Sequence, residues 1–184
     1  MEPALSRVRM GPDLSRATAE PIRTERLELL PLAVGHAEEM AEVLADPALH
    51  TYIGGEPADV AALRARYERM TAGSPDPAVR WLNWVIRAEG RLVGTVQATV
   101  EGTDRAELAW VVGTPWQGRG FAREAARALA GRLTDQGVTV LTAHIHPDHH
   151  ASAAVAAGLG LRPTGERQDG EIRWRREDAR SPRR

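Results

Sequence analysis

AELAWVVGTPWQGRGFAREAARAL, residues 106–129, changes its period in the middle. From Ala106 to Val112 side chains alternate in the two-residue repeat of a half-buried strand. After Gly113-Thr114-Pro115 the apolar positions become Phe121, Ala125, Ala128, Leu129 and Leu133, one face of a helix that closes near Gly137. Between strand and helix lies Gln117-Gly118-Arg119-Gly120-Phe121-Ala122. The first turn of a helix carries backbone N–H groups without intrahelical partners, and the helix dipole adds partial positive charge there. Glycines let such a backbone approach a ligand closely and form a concave nest of donors, for which a pyrophosphate is the natural occupant. Two glycines alone only turn a chain; the strand before them and the helix behind them make this pair a candidate phosphate site.

Working outward, Leu27 and Leu29 mark a strand at Arg26–Leu32, and Ala37, Met40, Ala41 and Leu44 a helix that Asp46-Pro47 closes. Val60, Leu63, Tyr67 and Met70 mark a second helix, ended by Gly73-Ser74-Pro75-Asp76-Pro77. Three strands follow at Trp81–Arg87, Leu92–Val100 and Ala106–Val112, with turns at Glu89-Gly90 and Glu101–Asp104. Connections this short make an antiparallel meander. Val138–Ile145 is reached through a helix and is expected to lie parallel to Ala106–Val112. A short helix at Ala151–Leu159 and strands at Leu161–Glu166 and Glu171–Arg176 complete the pattern. The prediction is one α/β (α+β) domain over residues 22–178, with residues 1–21 a flexible arm and 179–184 a charged tail.

Composition removes whole classes of chemistry. The chain has no cysteine, which excludes disulfides and thiol nucleophiles. All 24 basic residues are arginine, which removes Schiff-base chemistry and the lysine of a P-loop. A net charge of −1 implies no large field, so nucleic acid is not expected as an obligatory partner. No apolar run is long enough for a membrane span, and Met1–Glu20 has no signal-peptide pattern, so a cytoplasmic protein without membrane partners is expected. The glycine turn is not a Rossmann fingerprint either, because the sixth position counted from Gly118 is Arg123 and Val138–Ile145 lacks the acidic residue.

The turn resembles the acetyl-CoA signature of the GNAT superfamily, Gln/Arg-x-x-Gly-x-Gly/Ala, met here by Gln117, Gly120 and Ala122. Thr24-Glu25-Arg26-Leu27, Ala106-Glu107-Leu108, Arg123-Glu124-Ala125, then Pro147, Ala151, Ser152 and Leu159-Gly160-Leu161 resemble, in order and spacing, the ribosomal-protein N-terminal acetyltransferase-like subgroup. The resemblance covers roughly Thr24–Glu177. It implies a GNAT-type mixed, mostly antiparallel sheet of about six to seven strands flanked by about four helices. A splay is implied between the fourth and fifth strands, Ala106–Val112 and Val138–Ile145.

What the resemblance implies for function is transfer of an acetyl group from acetyl-CoA to an amine, as a small molecule or a peptide or protein N-terminus. With no thiol to carry the acyl group, attack is expected directly in a ternary complex. Backbone amides from Gln117 through Gly118, Arg119, Gly120 and Phe121 to Ala122 would hold the pyrophosphate, with Arg119 and Arg123 in reach of phosphates. Trp110, Val111 and Val112 would pair with the pantetheine arm, and free N–H groups at the splay would stabilise the thioester oxygen.

Glu107 is the first candidate base, on the face of Ala109 and Val111, where partial burial would raise its pKa; the competing reading is an ion pair with Arg105 or another arginine. Two positions depart from the family. His149 stands where the family has an Asn, whose contacts to cofactor or helix start an imidazole replaces only in part. Ala156 stands where many relatives have the Tyr that protonates the leaving thiolate, leaving Ser152, a water or no acid.

His144-Ile145-His146-Pro147-Asp148-His149-His150 looks like a metal site, yet its spacing fits no usual zinc pattern and the chemistry needs none. No metal is expected, and His144 and His146 are expected to be dispensable for turnover. The acceptor would be framed by a loop near His50–Gly55 and by the last strand pair, with some of the five tryptophans forming an aromatic wall. Three alternatives stay open: a non-catalytic CoA-binding module, another acyl donor such as aminoacyl-tRNA, and a homodimer.

Overall fold

Leu27 and Leu29, read as the buried face of the first strand, are both at the bottom of the core, and the alternation downstream of them builds one sheet. The structure, a computed structural model, describes residues 18–178. Its strands are β1 (Ile22–Arg23), β2 (Leu27–Pro31), β3 (Val79–Ala88), β4 (Arg91–Glu101), β5 (Arg105–Val112), β6 (Val140–Ile145), β7 (Arg162–Gln168) and β8 (Glu171–Glu177). Its helices are α1 (Ala37–Val43), α2 (Pro47–Ile53), α3 (Val60–Ala72), α4 (Phe121–Asp135) and α5 (His150–Gly158). The sheet order is β1-β2-β3-β4-β5-β6-β8-β7, antiparallel throughout except for the parallel pair β5 and β6. That one parallel pair is also the one joined through a long helix, as a parallel connection requires.

Helices cover both faces. On one, Met40 and Val43 of α1 with Leu63 and Tyr67 of α3 pack on Val85 and Leu92. On the other, Phe121, Ala125, Leu129 and Leu133 of α4 pack against Val96, Leu108 and Leu141. Burying each of these large side chains contributes about 1.5–3 kcal/mol before chain entropy is counted. The α4 stripe read from the sequence is the buried one, and α4 stops where expected, with Val138 N–H on Leu133 O and Gly137 N–H on Thr134 O, both at 3.0 Å. Glu89-Gly90 makes a two-residue hairpin between Ala88 and Arg91, with φ of 52° and 79°, the type I′ geometry that suits strand twist.

The structure corrects the count of elements. The described residues form eight strands, because the two-residue β1 pairs Ile22 with Leu29 and is too short to show a period. Among the described residues there are five α-helices, because Asp46-Pro47 opens a helix rather than merely ending one. Asp46 Oδ1 accepts the Ala48 N–H at 2.9 Å, and Pro47 sits at the first helical position, where its missing N–H costs nothing. The segment taken as a loop near His50–Gly55 is therefore mostly α2. Of the arm read over residues 1–21, residues 1–17 lie outside the described residues, as does the tail at 179–184. Residues 18–21 are tied down: Ala19 packs against the core, and Trp84 Nε1 donates to Glu20 O at 2.7 Å. No helix among the described residues is long and apolar enough to cross a membrane.

Gly94 is where β4 lets β5 come close. A Cβ built there would stand 2.1 Å from Val111 O, so any side chain pushes the end of β5 away. Gly131, exposed within α4, has nothing within 4 Å of its would-be Cβ. Gly94→Ala is expected to destabilise by about 1–3 kcal/mol, and Gly131→Ala to stabilise by about 0.5–1 kcal/mol. Urea denaturation of the two variants against the parent checks both signs.

Candidate active site

The glycine turn is fixed from outside by a segment about a hundred residues earlier. Glu124, in the first turn of α4, accepts hydrogen bonds from Thr24 Oγ1 at 2.6 Å, Arg26 N at 3.0 Å and Arg26 Nε at 2.7 Å. Arg26 Nη1 donates to Arg119 O at 2.9 Å, and its guanidinium lies 5.1 Å from the Phe121 ring centroid. Burial pushes the Glu124 carboxyl up, but the hydrogen bonds from Thr24 and Arg26 outweigh it and hold it below its ordinary 4.5. From the inner side, Gln117 Nε2 donates to Val112 O at 2.9 Å and ties the turn to the end of β5.

Within that frame Gly120 is the N-cap of α4 at φ 81°, a left-handed conformation that side chains resist. The first helical N–H to find a partner is Glu124 N, on Gly120 O at 3.0 Å. The N–H groups of Phe121, Ala122 and Arg123 precede it and are directed out of the helix end. They border a cavity of about 420 Å³ that runs from Gly118, Gly120 and Ala122 to Ser152 and Val155 on α5. Arg123 lines this cavity. The Arg119 side chain does not; it pairs with Glu89 and lies over Phe121 at 4.7 Å.

β5 and β6 are paired only from Arg105–Val140 to Glu107–Thr142. Beyond Glu107 they part, while β5 stays on β4 as far as Val112 and β6 stays on β8 as far as Ile145. The inner edge of β5 from Leu108 onward thus faces a gap instead of a strand. Trp110 and Val111 line that gap, and Val112 is buried with its carbonyl held by Gln117. A second cavity of about 400 Å³ opens on the other side, walled by α2, α3 and the histidines. Tyr52, Ile53, Trp110, Val111, His149 and Ser152 border both cavities.

The chemistry-bearing side chains gather where the cavities meet. Glu107 lies on the face of β5 read from alternation, with its side chain 47% exposed. Its partner is not an arginine: His144 Nδ1 lies 3.2 Å from Glu107 Oε1. His149 is the N-cap of α5, its Nδ1 accepting from Ser152 N at 3.3 Å, the task an Asn amide performs at a helix start. With Nδ1 accepting, the neutral ring carries its proton on Nε2, which lies 3.2 Å from Ser152 Oγ. Burial lowers the His149 pKa, and the charges of His146 and His150 add to this, against an opposing backbone hydrogen bond; the ring is neutral at pH 7.

Tyr52 stacks on His149 at 4.3 Å and sits 5.5 Å from His146. Sequence reading missed Tyr52 because α2 was taken as a loop; the Asp46-Pro47 cap was the available signal. Ala156, assigned the position of a phenol, is fully buried against the core, and Val155 lines the cavity instead. Among the described residues no three His, Asp or Glu side chains converge as a metal set.

Because the folded-state pKa of Glu124 is depressed, its stabilisation is present above the ordinary carboxylate range and is lost as pH falls through the folded value. Glu124→Gln is expected to cost about 1–2 kcal/mol at pH 7, with the gap to the parent closing below about pH 4. Denaturation curves at the two pH values test it; a gap that persists in acid contradicts the charged role.

The acetyltransferase (GNAT) domain model matches residues 26–162. An FsC-acetyl coenzyme A-N(2)-transacetylase from Aspergillus fumigatus is 30% identical over 152 residues, covering 76% of this chain and 64% of that protein. The chain therefore spans just under two thirds of the length of the curated relative it matches. A GNAT-family acetyltransferase from Bacillus anthracis superposes with a TM-score of 0.71 at 20% identity, covering 86% of this chain and 98% of the other. RimL, a ribosomal-protein alpha-N-acetyltransferase solved with coenzyme A, gives 0.72 at 17% identity over 86% and 98%. A probable GNAT acetyltransferase from Chromobacterium violaceum gives 0.73 at 20% over 89% and 93%. With the family match running from Arg26 through the glycine turn to Arg162, this chain belongs to the GNAT acetyltransferase family.

Proposed function

We propose that the chain transfers an acetyl group from acetyl-CoA to an amine by direct attack, with both substrates bound together. The observation that carries this reading is the parting of β5 and β6 beyond Glu107, with the glycine turn at one end of the gap and a second cavity at the other. A pyrophosphate on the N–H groups of Gly118 to Arg123 puts the acyl chain along the free edge of β5, where Trp110 and Val111 meet it. The free N–H groups there receive the charge that develops on the thioester oxygen as the amine attacks. The fit is supported by the open backbone at Gly118, where nothing lies within 4 Å of a would-be Cβ.

The acceptor enters from the cavity between α2, α3 and β6, which brings its nitrogen to the Glu107–His144 pair. The absence of cysteine leaves no thiol for an acyl-enzyme, which favours direct transfer. An amine acceptor is also what the names of the similar proteins share: an N2 nitrogen in the transacetylase and an alpha-N position in RimL. Ser152, held by His149 at the cavity junction, is assigned to the leaving sulfur.

Saturating acetyl-CoA is expected to raise the parent's Tm by roughly 5–10 °C, the worth of about a hundredfold excess over Kd in a chain of this size. Gly120→Val adds a side chain at φ 81°, 3.3 Å from the Arg26 guanidinium, and should lose the shift. Differential scanning fluorimetry reads both; a folded variant with the full shift moves the phosphate site elsewhere. Acetyl-CoA-dependent thiol release across primary amines and N-terminally free peptides then identifies the acceptor, and it should survive exhaustive chelation.

A further inference from the structure

We propose that His144 takes the amine proton, that Glu107 acts on it as a positioning carboxylate, and that the pair delivers the proton to solvent. The proposal rests on the acetyl-transfer reading and reverses the expectation that His144 is dispensable.

Register carries the argument. Glu107 is the last residue of β5 still paired with β6, opposite Thr142. His144 lies two residues further along β6 on the same face as Thr142, at the first such position beyond the pairing. The imidazole therefore stands at the mouth of the gap, and the carboxylate stands one step behind it. Exposure follows the same order: the His144 side chain is 15% exposed and that of Glu107 47%. The contact between them uses Nδ1 at 3.2 Å, which leaves Nε2 for the acceptor. A ligand-free site often holds such pairs loosely and tightens them when substrate arrives.

Both residues also border a separate groove of about 220 Å³, lined with Thr99, Thr142, Glu166 and Arg173. The pair thus forms the wall between the acceptor cavity and a polar exit. Arg173, the β8 residue opposite His144, is neutralised by Glu166, so the carboxylate that contacts the imidazole is Glu107.

The proton balance closes without another reagent. The ammonium gives one proton to His144 Nε2, with Glu107 stabilising the imidazolium. The nitrogen lone pair forms the C–N bond and the C–S bond breaks. The second surplus proton of the amine goes to the leaving thiolate, and His144 releases its own to water in the groove. One proton is released per amide formed.

Two measurements decide the proposal, and the first needs no acceptor. In histidine-¹⁵N-labelled protein saturated with acetyl-CoA, NMR should show His144 as the Nδ1–H tautomer, a preference that Glu107→Gln removes. An Nε2–H tautomer in the parent overturns the proposal. With glycinamide as the amine probe, His144→Ala should lower kcat by about 10²-fold or more, while the acetyl-CoA-induced rise in Tm stays at the parent's value. Added imidazole should restore part of the activity to His144→Ala and none to Glu107→Gln. His144→Ala, or His144→Gln if the alanine variant fails to fold, with kcat within about threefold of the parent refutes the base role. A parent that gains stability from acetyl-CoA yet acetylates neither glycinamide nor any other amine sinks the transfer reading instead, and the tautomer still decides the pairing.

Discussion

The hydrogen-bonded ion pair of Glu124 with Arg26 is the contact on which the site depends, because it joins the glycine turn and the start of α4 to the strand β2. Gly118 and Gly120 both adopt positive φ, and no side chain caps α4. Left alone, such a turn would spend conformational freedom to bind a ligand. Here the cost is met on folding. Three donors from Thr24 and Arg26 converge on one carboxylate, and a fourth from Arg26 reaches the Arg119 carbonyl inside the turn. The Thr24-Glu25-Arg26-Leu27 and Arg123-Glu124-Ala125 motifs, about a hundred residues apart, are therefore two halves of one clamp.

The same turn is held from β5 by Gln117, whose amide is used on Val112 O. That contact couples the glycine turn to the edge of the gap, since the turn is tied to the end of β5. Gly94 sets how close β5 lies to β4 at that point, with Val111 O where a methyl would stand. One glycine in the sheet and one glutamine in the turn thus set the distance between the two ends of the cavity that the glycine turn lines.

Fold and turn were legible in the sequence because both rest on local signals: the period changes at Thr114, and the glycines sit between a strand and a helix. Elements whose signals are short or doubly readable were not. Asp46-Pro47 can end one helix or begin the next, and only the Asp46–Ala48 hydrogen bond decides in favour of α2. With α2 went the helical placement of Tyr52, which with Trp110 borders both cavities. The partner of Glu107 was hidden for a different reason. His144 is 37 positions away, and its approach depends on the register of a parallel pair that spans three residues on each strand. Periodicity reports which face a residue occupies, not which neighbour on an adjoining strand it meets. The histidine-rich run, for which no metal is expected, divides among Glu107, Tyr52 and the start of α5.

The proposed direct transfer is in keeping with how the cavities share their walls. A reaction through a thioester acyl-enzyme needs a cysteine that both substrates reach in turn, and the sequence has none. A ternary reaction needs instead that the thioester carbon be open to the amine on one side while its oxygen meets N–H donors on another. The free edge of β5 supplies donors that point across the gap in the plane of the sheet, because neither strand satisfies the other beyond Glu107. Glu107 and His144 project from the face of the sheet, roughly perpendicular to those donors. In the proposed reaction an amine arriving over that face would approach the carbonyl from above the plane in which its oxygen is held, the geometry a tetrahedral attack requires. Closing the β5–β6 ladder by further residues would remove both the donors and the opening at once, so the broken pairing is the part of the fold most directly tied to the proposed reaction.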